Sequence, residues 1–215
     1  ANNTSGNGGA FNNSGTLTVT NSTISGNSAG NGGGFNNSGT LTITNSNLSG
    51  NTSVFDGGGG GIFNRSGTLT VSNSTISGNT ANYGGGIYNN LGIVNVTNST
   101  LSGNTAAFGG GIYNNSGTLT ILTVTNSTIS GNSAGNGGGF NNSGTLTVTN
   151  STLSGNSAAN QGGGIYNRSG STTLTTLTNS TISGNTAGSS GGGIYNRSGT
   201  LNVTNSTLSG NTAGS

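Results

Sequence analysis

The tripeptide Ser-Gly-Asn recurs along the chain, placing its Asn at 27, 51, 79, 104, 132, 156, 185 and 211, at intervals of 24 to 29 residues. A period of this length marks a repeat architecture. Each unit is too small to bury a core alone and must stack on its neighbours. One consensus covers nearly all 215 residues. It runs as three glycines, Ile or Phe, Tyr or Asn, Asn, a Ser-Gly turn, Thr-Leu-Thr-Val-Thr, Asn-Ser-Thr, Ile or Leu, Ser-Gly-Asn, then Thr or Ser and Ala, followed by a variable loop. Eight units follow it, with a remnant of another in residues 1–7.

Within a unit the apolar residues alternate, which is the period of a strand and not of a helix. In Thr16-Leu17-Thr18-Val19-Thr20, Leu17 and Val19 share one face and the three Thr share the other. The next segment adds one large apolar residue (Ile24, Leu48, Ile76 and their equivalents) and the Gly-rich segment adds another (Phe11, Phe35, Ile62 and theirs). Three short strands and about four inward side chains per unit predict an all-β fold, a parallel β-helix of eight roughly triangular coils, three-sided and right-handed like most parallel crossovers. Coils about 4.8 Å apart make a rod on the order of 40 Å long. One domain spans 1–215, with no linker. Length varies in the turn after the Gly-strand (Arg65, Asn90, Asn115, Arg168, Arg197), within the Thr-strands of units five (118–125) and seven (171–178), and in the loop carrying Phe55, Asp56, Tyr83 and Phe108. These insertions are expected to bulge outwards.

Three columns of Asn support the stack. Asn follows the Gly-strand in every unit (Asn13, Asn37, Asn64, Asn89, Asn114, Asn142, Asn167, Asn196) and ends every Thr-strand (Asn21, Asn45, Asn73, Asn98, Asn126, Asn150, Asn179, Asn205). It also closes every Ser-Gly-Asn (Asn27, Asn51, Asn79, Asn104, Asn132, Asn156, Asn185, Asn211). Asn suits bends because it tolerates the left-handed conformation. Stacked in register, each carboxamide can donate to one neighbour and accept from the other, forming ladders.

Composition removes most chemistry. The chain has 39 Asn, 33 Ser, 36 Thr and 46 Gly, only four charged residues (Asp56, Arg65, Arg168, Arg197), and no His, Cys, Met, Trp or Pro. It therefore lacks the residues of a His-dependent triad, a Cys nucleophile or a Cys/His zinc site. One carboxylate makes neither the acid pair of most glycosidases nor a calcium cage. Three arginines do not support nucleic-acid binding by counterion release. No apolar run of 18 residues exists to insert into a membrane. The glycine triplets lack the Lys-Ser/Thr ending of a phosphate loop, so close backbone approach is their expected role. No catalytic residue, cofactor or metal is expected.

Two surfaces remain as candidate binding faces. Thr16, Thr18 and Thr20 lie over Thr40, Thr42 and Thr44, then Thr68, Thr70 and Ser72, a grid similar to the Thr-x-Thr arrays of ice-binding solenoids. Ile93, Asn95 and Asn202 interrupt it. Tyr88, Tyr113, Tyr166 and Tyr195 follow the inward Ile and are expected to face outwards, stacking along the rod or meeting a sugar ring. Many Asn-x-Ser/Thr sequons also occur, such as Asn21-Ser22-Thr23.

The stretches Gly84-Gly85-Gly86-Ile87-Tyr88-Asn89 and Gly191-Gly192-Gly193-Ile194-Tyr195-Asn196, each leading towards Asn-Ser-Thr-Leu-Ser-Gly-Asn, resemble the right-handed parallel β-helix repeats of bacterial surface and secreted proteins. They are also similar to the Gly-Gly-Ala-Ile motif of chlamydial polymorphic outer-membrane autotransporters, with Gly8-Gly9-Ala10-Phe11 the nearest example. The resemblance implies a passenger, stalk, adhesin or fibre at the cell surface. Residues 210–215 followed by 1–9 read as one more coil. The expectation is an extracellular structural rod, part of a longer array or stacking head to tail on copies of itself. Glycans are alternative partners; nucleic acid is not expected to be one.

Overall fold

The computed structural model describes residues 4–54, 57–115, 120–168 and 173–214. Its strands assemble into four parallel sheets, one of nine strands and three of eight, and each coil contributes one strand to each sheet. The architecture is an all-β parallel solenoid of about eight turns, with four walls where the sequence reading expected three. The additional wall is built from Ser28–Asn31, Thr52–Ser53, Thr80–Tyr83, Thr105–Phe108 and their equivalents. Its inward residue is only Ala (Ala29, Ala81, Ala106, Ala134, Ala158, Ala187) or Ser53. Without a large apolar residue, this segment has the sequence pattern of a loop, although it forms a strand.

The longest wall holds five-residue strands, beginning Thr16–Thr20, Thr40–Thr44 and Thr68–Ser72. Their register is exact alternation made visible: Leu41 pairs with Leu17 and Leu69, and Ile43 with Val19 and Val71. The third wall is the Thr-x-Ser sheet (Thr23–Ser25, Asn47–Ser49, Thr75–Ser77 and so on). The fourth is the Gly-strand sheet (Phe11–Asn13, Phe35–Asn37, Ile62–Asn64 and so on). Inward side chains from these three walls form one continuous column in which Phe35, Leu41, Ile43, Leu48, Ile62, Leu69, Val71 and Ile76 are fully buried. Burying a side chain of this size contributes about 1.5–3 kcal/mol. A single coil holds too few to offset its backbone entropy, so the coils are stable only as a stack.

Glycine fixes two kinds of place. The Gly of Ser-Gly-Asn and the first Gly of each triplet adopt positive φ, as at Gly78 (φ 61°) and Gly84 (φ 62°), and turn the chain from wall to wall. The second glycine is needed for a different reason. A Cβ on Gly110 would lie 2.5 Å from the Ser133 carbonyl oxygen and 2.6 Å from that of Gly138, so backbone of the next coil fills the space.

Unit seven departs from the pattern. Leu174 is exposed and Thr175 takes the inward position opposite Leu146. The buried Thr175 hydroxyl donates to Asn167 Oδ1 at 2.7 Å and accepts from Asn142 Nδ2 at 3.1 Å, so its polarity is satisfied by the adjacent Asn column. Residues 116–119 and 169–172, which hold the start of the expected insertions at 118–125 and 171–178, lie outside the described residues together with Phe55 and Asp56.

Candidate functional site

Two of the three Asn columns are ladders inside the wall. In the column after the Gly-strand, Asn13 Nδ2 donates to Asn37 Oδ1 at 2.8 Å, Asn37 to Asn64 at 2.8 Å, and Asn64 to Asn89 at 3.0 Å. The chain continues through Asn114, Asn142 and Asn167 to Asn196. The Ser-Gly-Asn column is more tightly tied. Asn79 Nδ2 donates to Asn104 Oδ1 and to the Leu48 carbonyl, and the Asn79 backbone N–H donates to the same Asn104 Oδ1. Equivalent bonds run from Asn27 and Asn51 through Asn132, Asn156 and Asn185 to Asn211. Asn51, Asn79, Asn104, Asn132, Asn156 and Asn185 are fully buried. Buried amides need partners, and each column supplies them from its own neighbours.

The third column is built differently. Asn21, Asn45, Asn73, Asn98, Asn126, Asn150, Asn179 and Asn205 all have φ of 49–51° and are exposed. No amide-to-amide bond links them. They are corner residues, used for the left-handed conformation, and their side chains point away from the stack. The following Ser makes the ladder instead. The Ser74 backbone N–H donates to Ser99 Oγ at 3.1 Å, while Ser99 Oγ donates to the Thr97 carbonyl at 2.8 Å. Ser22, Ser46, Ser127, Ser151, Ser180 and Ser206 take the same part. The sequence signal was present, since Ser follows this Asn in all eight units. All three ladders point one way, with each coil donating to the next towards the C-terminus.

The Thr rows lie where alternation put them. Thr16, Thr18 and Thr20 pair with Thr40, Thr42 and Thr44 on the outer face of the longest wall. Beyond the third coil the first row changes to Ile93 and Ile121, which pair with each other and are exposed, and later to Leu174. The more regular hydroxyl array is on the Thr-x-Ser sheet, where every strand ends in Ser and every strand but Asn47–Ser49 begins with Thr.

The tyrosines stack along the rod as expected, Tyr88 with Tyr113 and Tyr166 with Tyr195, and are more covered than an outward-facing position implies. Tyr113 and Tyr166 are buried, and Tyr88 and Tyr195 half-buried. Tyr88 stacks between Phe63 at 5.0 Å and Tyr113 at 5.2 Å, and Tyr166 lies nearly parallel to Tyr195 at 5.6 Å. Tyr83 covers both Tyr88 and Tyr113 and itself stacks on Phe108 at 5.5 Å. The rings leave the core outwards, but Tyr83, at the end of the Ala-bearing wall, folds over Tyr88 and Tyr113. Tyr113 Oη donates to Asn115 and accepts from Arg168, two coils away, at 3.1 Å. Burial, then the neighbouring phenols Tyr113 and Tyr83, push the Tyr88 hydroxyl up to about 12. Burial likewise raises that of Tyr113, partly opposed by Arg168.

Among the described residues no cluster of three His, Cys, Asp or Glu is present, and no helix is long and apolar enough to cross a membrane. The geometry offers repetitive polar surface and a sealed interior.

Two stretches, residues 150–168 and 179–197, match the family model of the Chlamydia polymorphic membrane protein repeat. Each runs from a corner Asn, through the Thr-x-Ser, Ala-bearing and Gly-strand walls, to the Arg after a ladder Asn. The resemblance read from the glycine and Asn motifs therefore holds, though at these positions and not at Gly8–Phe11. No curated protein and no solved structure matches the chain.

Proposed function

We propose that this chain is the rod of a surface-associated, passenger-type structural protein, wound right-handed, without catalytic activity, and extended by further coils end to end. The observation that carries the reading is the unbroken set of three polarised ladders around one apolar column. Such a stack has no preferred length. Each coil offers the next the same strand register, the same acceptors on one side and the same donors on the other. The next coil can come from the same chain or from another copy, but only head to tail, because donors must meet acceptors. Repetition along one axis then gives an open fibre. The matched repeat family, named for membrane proteins, supports placement at the outer surface.

The test is immunogold labelling with limited surface proteolysis of intact producing cells. Label on surface fibres, removed by external protease, is the expected result. Signal found only after lysis would refute the placement.

A second reading, a polar binding face, is favoured by the Thr-x-Ser sheet, whose hydroxyls repeat over eight coils. Thermal hysteresis and a glycan array measure it; binding lost on disrupting Thr-x-Ser strands would support it. The packed tyrosines do not.

A further inference from the structure

We propose that the corner asparagines opening Asn-Ser-Thr triplets are acceptors for N-linked sugars. Seven of the eight corners carry this sequon; Asn45, followed by Ser46-Asn47, is the exception. The inference goes beyond the rod reading and does not depend on it.

Sequons are frequent in this chain because Asn, Ser and Thr are, and the structure separates them. Of those that begin at ladder positions, Asn51, Asn64, Asn114 and Asn167 have fully buried side chains, and Asn196 alone, at the end of its column, is exposed. The Nδ2 atoms of the buried four already donate to the next coil, so a sugar there would break the ladder and have no space. Asn12, Asn36 and Asn141 open sequons inside the Gly-strand sheet, where Asn36 and Asn141 are buried, and Asn47, Asn95 and Asn202 open them at single positions within other strands. The corner column alone combines the sequon with a turn, exposure and an amide free of ladder bonds, and does so repeatedly.

The two flanking residues complete the geometry. The middle Ser turns inwards, its Oγ held by the Thr97 carbonyl and the Ser74 N–H in the case of Ser99. The Thr two residues after the Asn faces out at the start of the Thr-x-Ser sheet, exposed at Thr23 and Thr207 and half-buried between. Asn amide and Thr hydroxyl are therefore presented together on the outer side of one bend. An open groove of about 490 Å³ follows this corner, lined by Asn21, Thr23, Asn45, Asn47, Asn73 and Thr75 among others.

The donor would be a sugar linked to a nucleotide or lipid diphosphate, transferred by a glycosyltransferase of the producing cell. Asn Nδ2 bonds to the anomeric carbon, the bond from that carbon to the phosphate oxygen breaks, the diphosphate leaves, and one amide proton is lost to the enzyme's base. Adjacent corners stand about 4.8 Å apart. A pyranose with its substituents is wider, so adjacent corners are not both occupied in one molecule; each corner, Asn98 included, carries a sugar in part of the population, and any one chain carries fewer than seven.

The experiment is peptide mapping by mass spectrometry on protein isolated from its producing cells, alongside T100A and T100S variants made in the same host. Expected are sugar-sized increments on Asn-Ser-Thr peptides and none on Ser-Gly-Asn peptides. The increment at Asn98 should vanish in T100A and persist in T100S. Since Thr100 faces outwards, an unchanged β-sheet circular dichroism spectrum checks the fold of both. Corner peptides found only at unmodified mass overturn the proposal. So does an increment at Asn98 that survives T100A, which would assign the sugar to a hydroxyl, or modification confined to other asparagines.

Discussion

Removing one ladder amide should cost far more than removing one corner amide, although both are Asn in the same coil. In Asn104→Ala four hydrogen bonds disappear. Asn104 Nδ2 donates to Asn132 Oδ1 and the Ile76 carbonyl, and its Oδ1 accepts from Asn79 Nδ2 and the Asn79 backbone N–H. Asn79 Nδ2 retains its bond to the Leu48 carbonyl, and Asn132 Oδ1 retains the Asn104 N–H. The Asn79 N–H is left buried and orphaned. An orphaned buried donor costs about 1–3 kcal/mol, and each lost but partly compensated bond about 0.5–1.5 kcal/mol. The variant should thus lose about 3–5 kcal/mol. Asn98→Ala breaks no ladder bond and incurs only the left-handed backbone penalty of about 1–2 kcal/mol, which Asn98→Gly avoids. Urea unfolding followed by circular dichroism measures all three as midpoint shifts at constant slope. Hydrogen exchange resolves the Asn79 amide, which should lose protection in Asn104→Ala alone. If Asn104→Ala proves no more costly than Asn98→Ala, or leaves Asn79 protected, the ladders are not what holds adjacent coils.

Gly110→Ala drives a Cβ into the Ser133 and Gly138 carbonyls. It should cost at least about 2 kcal/mol, towards the upper end of overpacking, by the same urea assay. The outward pair Ile93 and Ile121 contributes surface and not core, so changing both to Thr should shift stability by no more than about 0.5 kcal/mol while lowering dye binding by exposed apolar surface. Tyr88 holds its proton more tightly folded than unfolded, its hydroxyl raised from 10.0 to about 12. Its contribution is full below pH 10 and is lost as pH rises through about 12. Phenolate absorbance should show Tyr88 ionising late and together with alkaline unfolding, and Tyr88→Phe should remove that part of the pH dependence.

The coil, its parallel register and its core were legible because they rest on residues whose spacing is set by period-2 alternation: Leu69 over Leu41, Ile76 over Leu48. The fourth wall was not, because Ala29 and Ala81 carry too little apolar surface to register as a strand. Both buried ladders followed from Asn recurring at fixed places, yet recurrence alone gave the corner column the same role. Two uses of Asn, an amide pairing with its neighbours and a backbone accepting φ near 50°, leave identical traces in sequence. The structure separates them: Ser99 supplies the ladder atom at the corner, so Asn98 need not. The stacked, outward tyrosines were legible in the same way as the core, but their cover was not. Alternation shows that Tyr113 leaves the core, but not that Tyr83 returns over it from another wall.

The central claim is that coils continue with one register and one polarity from end to end of a rod. Cryo-EM of the native assembly tests it most directly. The account predicts filaments with an axial rise near 4.8 Å per coil, four walls in cross-section, and Asn and Ser ladder density running without interruption through every junction. Short rods that stay discrete at high concentration, or junctions where the ladders stop or reverse, would contradict it.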